Sequence, residues 1–372
     1  MTRLGFLLDS DSCIGCHACT VACKSEHDVP LGVNRTWVKY IETGTFPDVA
    51  RKFNVMRCNQ CDDAPCVTAC PTAAMHRRPD GIVDFDKSIC IGCKACIAAC
   101  PYDAIFINPE DHSAEKCNFC AHRVDQGLEP SCVSVCPTEA LMIGDLNDPG
   151  SRVAQMAYRE PVAVRRPEKH TRPKLFYRGA HQTTLDPLAA RRPEGGIFMW
   201  SQQLEGPHHV VAGNPETGNS SAAAVLAYDV PHSAPWDWRV SLYTLTKGIS
   251  AGVYLMALLF MAFEAFDRSG PMWQWATPLL GLAFLGITGG LLIWDLEHPL
   301  RFYMIFTKSH SRSWLVKGSY IIGGYSAVLT LHLVASLLGR AEWQSFLAFP
   351  IGLVLAVLTS VYTAYLFAQA RA

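Results

Sequence analysis

Hydrophobic residues are distributed unevenly along the chain, and their pattern predicts two dissimilar halves. From about residue 235 onward, four long apolar segments follow one another, near 242–266, 275–294, 318–338 and 346–367. The last three contain no Asp, Glu, Lys or Arg, and each is close to the ~20 residues that an α-helix needs to cross a bilayer. One such segment is also compatible with a buried core helix, but four in succession with short loops predict an all-α four-helix transmembrane bundle.

The loops between these segments predict on which side of the membrane the N-terminal half lies. The loop between the second and third segments carries four basic residues, whereas the loops on the opposite side carry only Arg268 and Arg340. Because cytoplasmic loops are enriched in Lys and Arg, we expect the N-terminal half to face the cytoplasm from the inner membrane. Residues 151–192 hold ten Lys and Arg against three acidic residues, and they either lie on anionic headgroups or form a solvated arm.

The first half of the chain is rich in cysteine, unlike the second half. All sixteen cysteines of the 372-residue chain lie between Cys13 and Cys136. The formal net charge of -1 argues against a nucleic-acid partner. We therefore predict a cysteine-rich domain at 1–146, a Pro/Gly-rich basic linker arm at 147–235 and a transmembrane domain at 236–372.

The cysteines form four groups of four. Two groups share the spacing C-x2-C-x2-C-x3-C, namely Cys13, Cys16, Cys19, Cys23 and Cys90, Cys93, Cys96, Cys100. The other two have longer gaps, namely Cys58, Cys61, Cys66, Cys70 and Cys117, Cys120, Cys132, Cys136. In two-cluster ferredoxins the first spacing holds [4Fe–4S] clusters, each group giving its fourth cysteine to the neighbouring cluster. All sixteen cysteines are thus predicted metal ligands of four [4Fe–4S] clusters, and the spacing alone leaves the pairing of the groups open.

Zinc and disulfide bonds are the alternatives for such a cysteine pattern. Zinc sites use two C-x2-C hooks separated by a longer stretch, whereas two groups here place three thiols within one short loop. Disulfides are rare in a reducing compartment. The spacing therefore favours iron–sulfur clusters over a zinc-binding membrane adaptor.

The sixteen-cysteine layout, with the long gap in its last group, resembles the four-cluster iron–sulfur subunits of complex iron–sulfur molybdoenzymes. These include dimethyl sulfoxide, polysulfide, nitrate and formate enzymes. The resemblance implies an α+β tandem bacterial ferredoxin-like domain and a large catalytic subunit of the molybdopterin type as partner. It also implies four ligand sets, which are Cys13, Cys16, Cys19 and Cys136; Cys117, Cys120, Cys132 and Cys23; Cys58, Cys61, Cys66 and Cys100; and Cys90, Cys93, Cys96 and Cys70.

The segment from Trp294 to Phe302, together with Arg312-Ser313-Trp314, resembles the loop after the second helix in NrfD-type quinone-interacting membrane anchors. Anchors of this type commonly have eight helices in a separate polypeptide. With four helices here, either a second transmembrane subunit completes the anchor or the chain is a reduced form. The resemblance implies a site for menaquinone or ubiquinone in the bundle, facing the nearest cluster.

Four ionisable residues near the cluster side of the bundle are candidates for quinone chemistry. Asp295, His298 and Arg301 follow the second span, and Lys247 lies near the start of the first. Quinone reduction needs proton donors, and ionisable groups at the edge of a bundle are functional candidates. Arg301 and Lys247 are also compatible with snorkelling to the interface. His332 has no second histidine at matched depth, so no haem is predicted.

These observations lead to one main functional hypothesis. We expect an electron-transfer subunit that links a separate catalytic subunit to the quinone pool and does not convert the substrate itself. The alternative is a component of a haem-linked or proton-translocating quinone complex without molybdenum. The sequence leaves open the substrate of the partner, the direction of electron flow and the type of quinone.

Overall fold

The computed structural model describes residues 2–45, 47–186, 189–190, 224–232, 234–265, 267, 269–340, 342–344 and 348–370. Much of the predicted linker arm, 191–223, lies outside these residues, as do 346 and 347 at the start of the fourth predicted span.

The N-terminal half consists mainly of short strands and short helices. The strands are β1 Leu4–Asp9, β2 Thr36–Thr45, β3 Asp48–Arg57, β4 Met75–Arg77, β5 Val83–Phe85, β6 Ile105–Ile107, β7 Ala114–Lys116, β8 Leu141–Asp145, β9 Val162–Ala163, β10 Leu175–Arg178 and β11 Val225–Tyr228. The helices are α1 Ala18–His27, α2 Pro65–Ala69, α3 Ala95–Ala99, α4 Ala121–Val124, α5 Ser131–Ser134, α6 Arg152–Arg159 and α7 Gln182–Leu185. These short elements form the predicted ferredoxin-like fold.

A four-stranded sheet in the order β8-β1-β10-β9 forms the base of this half. β1 is one of its two inner strands, and its residues Phe6, Leu7 and Leu8 are fully buried. β8 pairs with it antiparallel and β10 pairs with it parallel, with Phe6 opposite Leu175. The predicted domain boundary at residue 146 is therefore too early: β10 belongs to the cysteine-rich fold, although its neighbouring loops are polar and rich in proline.

The remaining strands form one sheet and two hairpins. β2 and β3 pair over their whole length, and β11 adds to the free edge of β2. The hairpins β4–β5 and β6–β7 flank the two middle cysteine groups. β11 lies within the predicted linker as well, so the chain returns to the cysteine-rich domain just before it enters the membrane.

Four helices are long and apolar enough to cross a membrane, which confirms the predicted bundle. They are α8 Trp238–Ala262, α9 Thr277–Trp294, α11 Trp314–Leu337 and α12 Leu353–Gln369, with the short helix α10 Met304–Thr307 between the second and third. π-helical turns at Met272–Ala276 and Ala348–Gly352 precede α9 and α12.

The first and third of these helices begin four residues before the predicted spans. α8 starts early because the side chain of Asp237 accepts a hydrogen bond from the backbone N–H of Arg239 and caps the helix. α11 follows Ser313, whose hydroxyl donates to the carbonyl oxygen of Ala69 over 2.8 Å. Hydropathy identified the apolar centre of each helix, whereas polar contacts fix its ends.

Candidate functional site

The structure brings the cysteines together in four sets, and each set combines two sequence groups. Cys136 and Cys16 lie close enough to Cys13 to act on its thiol electrostatically, as Cys117 and Cys132 do on the thiol of Cys23. In the same way Cys58, Cys61 and Cys100 surround Cys66, and Cys70, Cys90 and Cys93 surround Cys96. The ligand sets implied by the resemblance stay a prediction, which these groupings support.

Two of the sets line compact cavities. Cys13, Cys16, Cys19 and Cys136 line one, and Cys70, Cys90, Cys93 and Cys96 line another. Burial raises the pKa of the Cys19 thiol to about 11 and that of the Cys61 thiol to about 12. Such thiols become thiolates when a bound metal supplies positive charge, so the donor sets fit iron–sulfur clusters.

A glycine in each cavity wall allows the chain to turn around the space. Gly15 and Gly92 occupy the same place in the repeated motif C-I-G-C and have φ values of +70° and +68°. A Cβ on Gly15 would lie 2.4 Å from the ring of Phe53, and one on Gly92 would lie 2.4 Å from Cβ of Glu297. Both positions therefore require glycine for conformation and for space.

Two buried cations lie among the sets. Arg57 is fully buried beside Cys132, and Lys116 is fully buried, with its ammonium donating to the carbonyl oxygens of Val83 and Cys117. Burial lowers the pKa of Arg57, but the charges of Cys132 and neighbouring thiols outweigh it and raise the pKa above its ordinary value. Sequence reasoning missed both residues, since no local pattern marks a Lys or Arg that will be buried.

The loop between α9 and α11 packs directly on the set that contains Cys93. The Arg301 guanidinium donates to the carbonyl oxygens of Lys87 and Cys90 over 2.9 and 3.0 Å. The backbone N–H of His298 donates to Ile91 O over 3.2 Å, and its ring lies 3.3 Å from the hydroxyl of Ser113. His298 and Arg301 thus hold the membrane loop on the cysteine-rich domain.

A cavity of about 420 Å³ opens between the membrane helices below this loop. Cys93 and Asp295 line its end nearest the cysteine-rich domain, together with Trp236, Tyr243 and Tyr362. The indole N–H of Trp236 donates to the carbonyl oxygen of Cys93 over 3.3 Å. Of the four predicted quinone-site residues, only Asp295 lines this cavity.

Asp295 is 7% exposed, and its Oδ1 has no hydrogen-bond partner among the described residues. The nearest cations are Nε of Arg239 at 3.6 Å and Nζ of Lys94 at 3.7 Å. Burial raises the pKa of Asp295, although the positive charges of Lys94 and Arg239 oppose this. A buried carboxyl group of this kind is suited to exchanging a proton with a ligand in the cavity.

Lys247 and His332 lie elsewhere in the bundle. The Lys247 ammonium donates to the hydroxyl of Thr363 and lies 4.3 Å from the centre of the Tyr362 ring, so it stands behind the cavity wall. The ring of His332 packs against Trp273 at 4.4 Å, and neither of its nitrogens has a hydrogen-bond partner in the described part of the chain. Neither residue lines the cavity itself.

The sequence did not predict that Tyr243 and Tyr362 line the cavity or that Trp236 contacts Cys93. Trp236 was interpreted only as an interface anchor, and tyrosines inside a hydrophobic span carry no distinguishing spacing. Their position follows from the packing of α8 against α9 and α12.

The fold and this site define a membrane-bound iron–sulfur electron-transfer subunit. Residues 49–146 match the family model of the 4Fe-4S dicluster domain, residues 4–25 match that of the 4Fe-4S binding domain, and residues 228–371 match that of polysulphide reductase NrfD.

Curated relatives agree with this class. The chain is 43% identical to the B component of tetrathionate reductase of Salmonella typhimurium over 193 residues, which are 51% of this chain and 77% of the relative. It is 42% identical to the B component of polysulfide reductase of Wolinella succinogenes over 177 residues, 47% of this chain and 93% of the relative. It is 44% identical to protein NrfC of Escherichia coli over 177 residues, 47% of this chain and 79% of the relative.

This protein belongs to the family of iron–sulfur subunits of these reductases and carries an NrfD membrane domain in the same polypeptide. It is a multi-pass membrane protein that serves in electron transfer, as the sequence predicted.

Proposed function

We propose that this chain transfers electrons between a molybdopterin-type catalytic subunit and membrane quinone. The observation that carries the proposal is the shared cavity: Cys93, from one of the four cysteine sets, and Asp295, from the membrane domain, line the same space. A cavity of about 420 Å³ lies within the usual range for a small organic ligand.

The four cysteine sets would hold four [4Fe–4S] clusters, each of which supplies one-electron transfer. Electrostatic proximity between the sets supports one order. Cys19 lies close to Cys132, Cys58 to Cys117 and Cys96 to Cys66, so each of these pairs links two sets. The order begins at the set with the exposed Cys16 and ends at the set with Cys93, beside the quinone cavity.

The metal content distinguishes four clusters from single zinc ions. Elemental analysis of the purified complex tests this point: about sixteen irons per chain and molybdenum in a co-purifying partner are expected. Iron without molybdenum would favour the alternative, a haem-linked or proton-translocating quinone complex.

In the cavity, Asp295 would exchange protons with the quinone oxygens. Tyr243 on α8 and Trp236, which lies just before α8, would close the site and exclude water. The cysteine-rich domain would face the cytoplasm from the inner membrane, supported by the basic loop that packs on it.

Substitution of Asp295 tests the proton-exchange role. We expect Asp295→Asn to slow electron exchange with quinone about 100-fold, the usual lower range for general acid–base catalysis, and to change the pH profile of the reaction. His298→Gln, a matched change in a residue that faces the cysteine-rich domain, is expected to leave the pH profile unchanged. An unaltered rate and pH profile in Asp295→Asn would reject this role.

A further inference from the structure

A second cavity approaches the membrane loop beside Asp295. It is a groove of about 440 Å³ between α3, β6 and the segment that leads into α8. The exposed residues Asp103 and Asp237 line it, so water can enter the groove. Lys94 and Glu297 also line it, and Lys94 forms an ion pair with Asp295, which lines the membrane cavity. The groove and the membrane cavity therefore come together at this ion pair.

Ionisable side chains form a row across this junction. The row consists, in order, of Asp237, Arg239, Asp295, Lys94, Glu297 and His112. The nearest nitrogen and oxygen atoms of successive side chains lie 2.8–3.7 Å apart. Three carboxyl groups share the two cations Arg239 and Lys94, so the row has one negative charge in excess. Such an excess favours the binding of a proton by one of the carboxyl groups.

Exposure to water falls along one half of this row. His112 is on the surface, Glu297 is half-buried and Asp295 is buried. His112 lies in the loop between β6 and β7, and its Nδ1 is 3.5 Å from Oε2 of Glu297. Oε1 of Glu297 is 2.9 Å from Nζ of Lys94, which also attracts Asp295. The row thus contains three proton-binding groups that lead from solvent to the membrane cavity.

Asp237 also lines the groove, but its contacts differ from those of Glu297. Asp237 accepts hydrogen bonds from the backbone N–H and from the guanidinium of Arg239. The hydrogen bond from the guanidinium holds the pKa of Asp237 below its usual range, so this carboxyl group stays ionised. Glu297 faces Lys94 with one oxygen and the His112 ring with the other, so it is the carboxyl group of the groove that can exchange a proton with a titratable neighbour.

We propose that Glu297 relays protons between water, which reaches it through the groove and His112, and Asp295 in the membrane cavity. This inference rests on the proposed quinone function and adds the source of its protons. A quinone gains two electrons and two protons on reduction. Each proton that the carboxyl group of Asp295 gives to a quinone oxygen is replaced by one from Glu297, which in turn takes a proton from water through His112. Oxidation of the quinol runs every step in reverse.

Substitutions at Glu297 test the relay in the full complex in its native membrane. Glu297→Gln removes the charge and keeps the backbone N–H that donates to the carbonyl oxygen of Gly92. Glu297→Asp keeps a carboxyl group. Glu110→Gln is the matched control, because Glu110 is an exposed residue of the loop that carries His112 and lines neither the groove nor the membrane cavity. The complex is reduced with dithionite, and quinone reduction is followed at several pH values with and without formate.

We expect Glu297→Gln to lower kcat at least about tenfold above neutral pH and to leave KM within about twofold of the wild type. The loss should shrink as the pH falls, because protons from water then reach Asp295 more often without the relay. Formate is a small acid that can carry a proton into the groove, so it should restore at least about half of the lost rate, as Glu297→Asp should. A side chain that only held the loop in place would respond neither to pH nor to formate.

Three results would overturn the proposal. These are a wild-type kcat of Glu297→Gln at every pH, a loss that neither formate nor Glu297→Asp reverses, and an equal loss in Glu110→Gln. If Glu297→Gln assembles with a reduced iron content, His112→Gln decides by the same criteria, since its side chain is on the surface. Failure of the proposed function is distinguishable, because Asp295→Asn would then keep the rate and pH profile of the wild type. An impaired Asp295→Asn beside a normal Glu297→Gln would reject the relay alone.

Discussion

Arg57 donates a hydrogen bond from Nη1 to the Sγ of Cys132 over 3.2 Å from a fully buried position. Its guanidinium lies 4.5 Å from the centre of the Phe6 ring, which stacks on Phe119. Nε and Nη2 have no hydrogen-bond partner among the described residues. Because an uncompensated buried charge is costly, the proposed anionic cluster on Cys132 accounts for this arrangement.

Removal of the Arg57 charge should lower the reduction potential of that cluster. The reduced cluster carries one more negative charge than the oxidised one, so a buried cation stabilises the reduced form. For Arg57→Gln we expect a shift of about 60 mV to lower potential, equivalent to a tenfold change in a one-electron equilibrium. Redox titration followed by electron paramagnetic resonance measures the shift cluster by cluster.

Arg57→Lys and Arg172→Gln are the controls. The first keeps the charge and should recover most of the potential. The second removes an exposed guanidinium that pairs with Asp63 and should leave all potentials unchanged. Equal potentials in Arg57→Gln and the wild type would show that the guanidinium serves packing only.

Lys116 should act on a different cluster. Its charge opposes the effect of burial on the thiols of Cys58 and Cys66, so it lies beside the set that also contains Cys61 and Cys100. Lys116→Met keeps an unbranched side chain of similar size and removes the charge. We expect the potential of that cluster to fall by a similar ~60 mV, with a smaller change on the cluster beside Arg57.

The two variants check each other. In Lys116→Met two carbonyl oxygens lose their hydrogen-bond donor, which could disturb cluster assembly. The shift in potential is therefore interpreted only if the iron content of this variant stays near that of the wild type. If Arg57→Gln and Lys116→Met shift the same cluster, the order of cysteine sets proposed above is wrong.

The features that could be predicted are those that depend on residues close together in the sequence. A cluster loop constrains three thiols within about seven residues, so Cys13-x2-Cys16-x2-Cys19 is informative by itself. A membrane span is likewise a local run of apolar residues. The four helices could therefore be predicted, with errors only at ends such as Trp238, where a cap decides the boundary.

Contacts between distant segments were less predictable. His298 and Arg301 have the chemistry of a quinone site, yet both contact the cysteine-rich domain. Their position in the sequence predicts that they lie on the cluster side of the membrane. It does not predict which face of the loop each residue occupies. β10 Leu175–Arg178 was assigned to a linker because four residues between polar loops give too short a pattern to indicate a buried strand.

Arg301 should therefore act through docking and not through quinone chemistry. Arg301→Gln loses two charged hydrogen bonds to the carbonyl oxygens of Lys87 and Cys90, each worth roughly 1.5–3 kcal/mol. We expect slower electron transfer from reduced clusters to quinone, with the pH profile of the wild type. Stopped-flow kinetics at several pH values measure both. A pH profile that changes as in Asp295→Asn would return Arg301 to the proton path.

Gly92 should be the most sensitive position at the junction of the two domains. Its carbonyl oxygen accepts a hydrogen bond from the backbone N–H of Glu297 over 3.4 Å, and a Cβ would lie 2.4 Å from Cβ of Glu297. Gly92→Ala must therefore displace the membrane loop, in addition to the ~1–2 kcal/mol cost of a left-handed alanine. We expect electron transfer to quinone to fall at least tenfold.

Gly127→Ala is the control. Gly127 has a φ of +75° but open space for a Cβ, so the substitution carries the backbone cost alone and the variant should transfer electrons normally. The iron content and the rate of electron transfer are measured on both variants. An equal rate in the two would show that the contact between Gly92 and Glu297 does not determine how fast electrons pass between the clusters and the membrane domain.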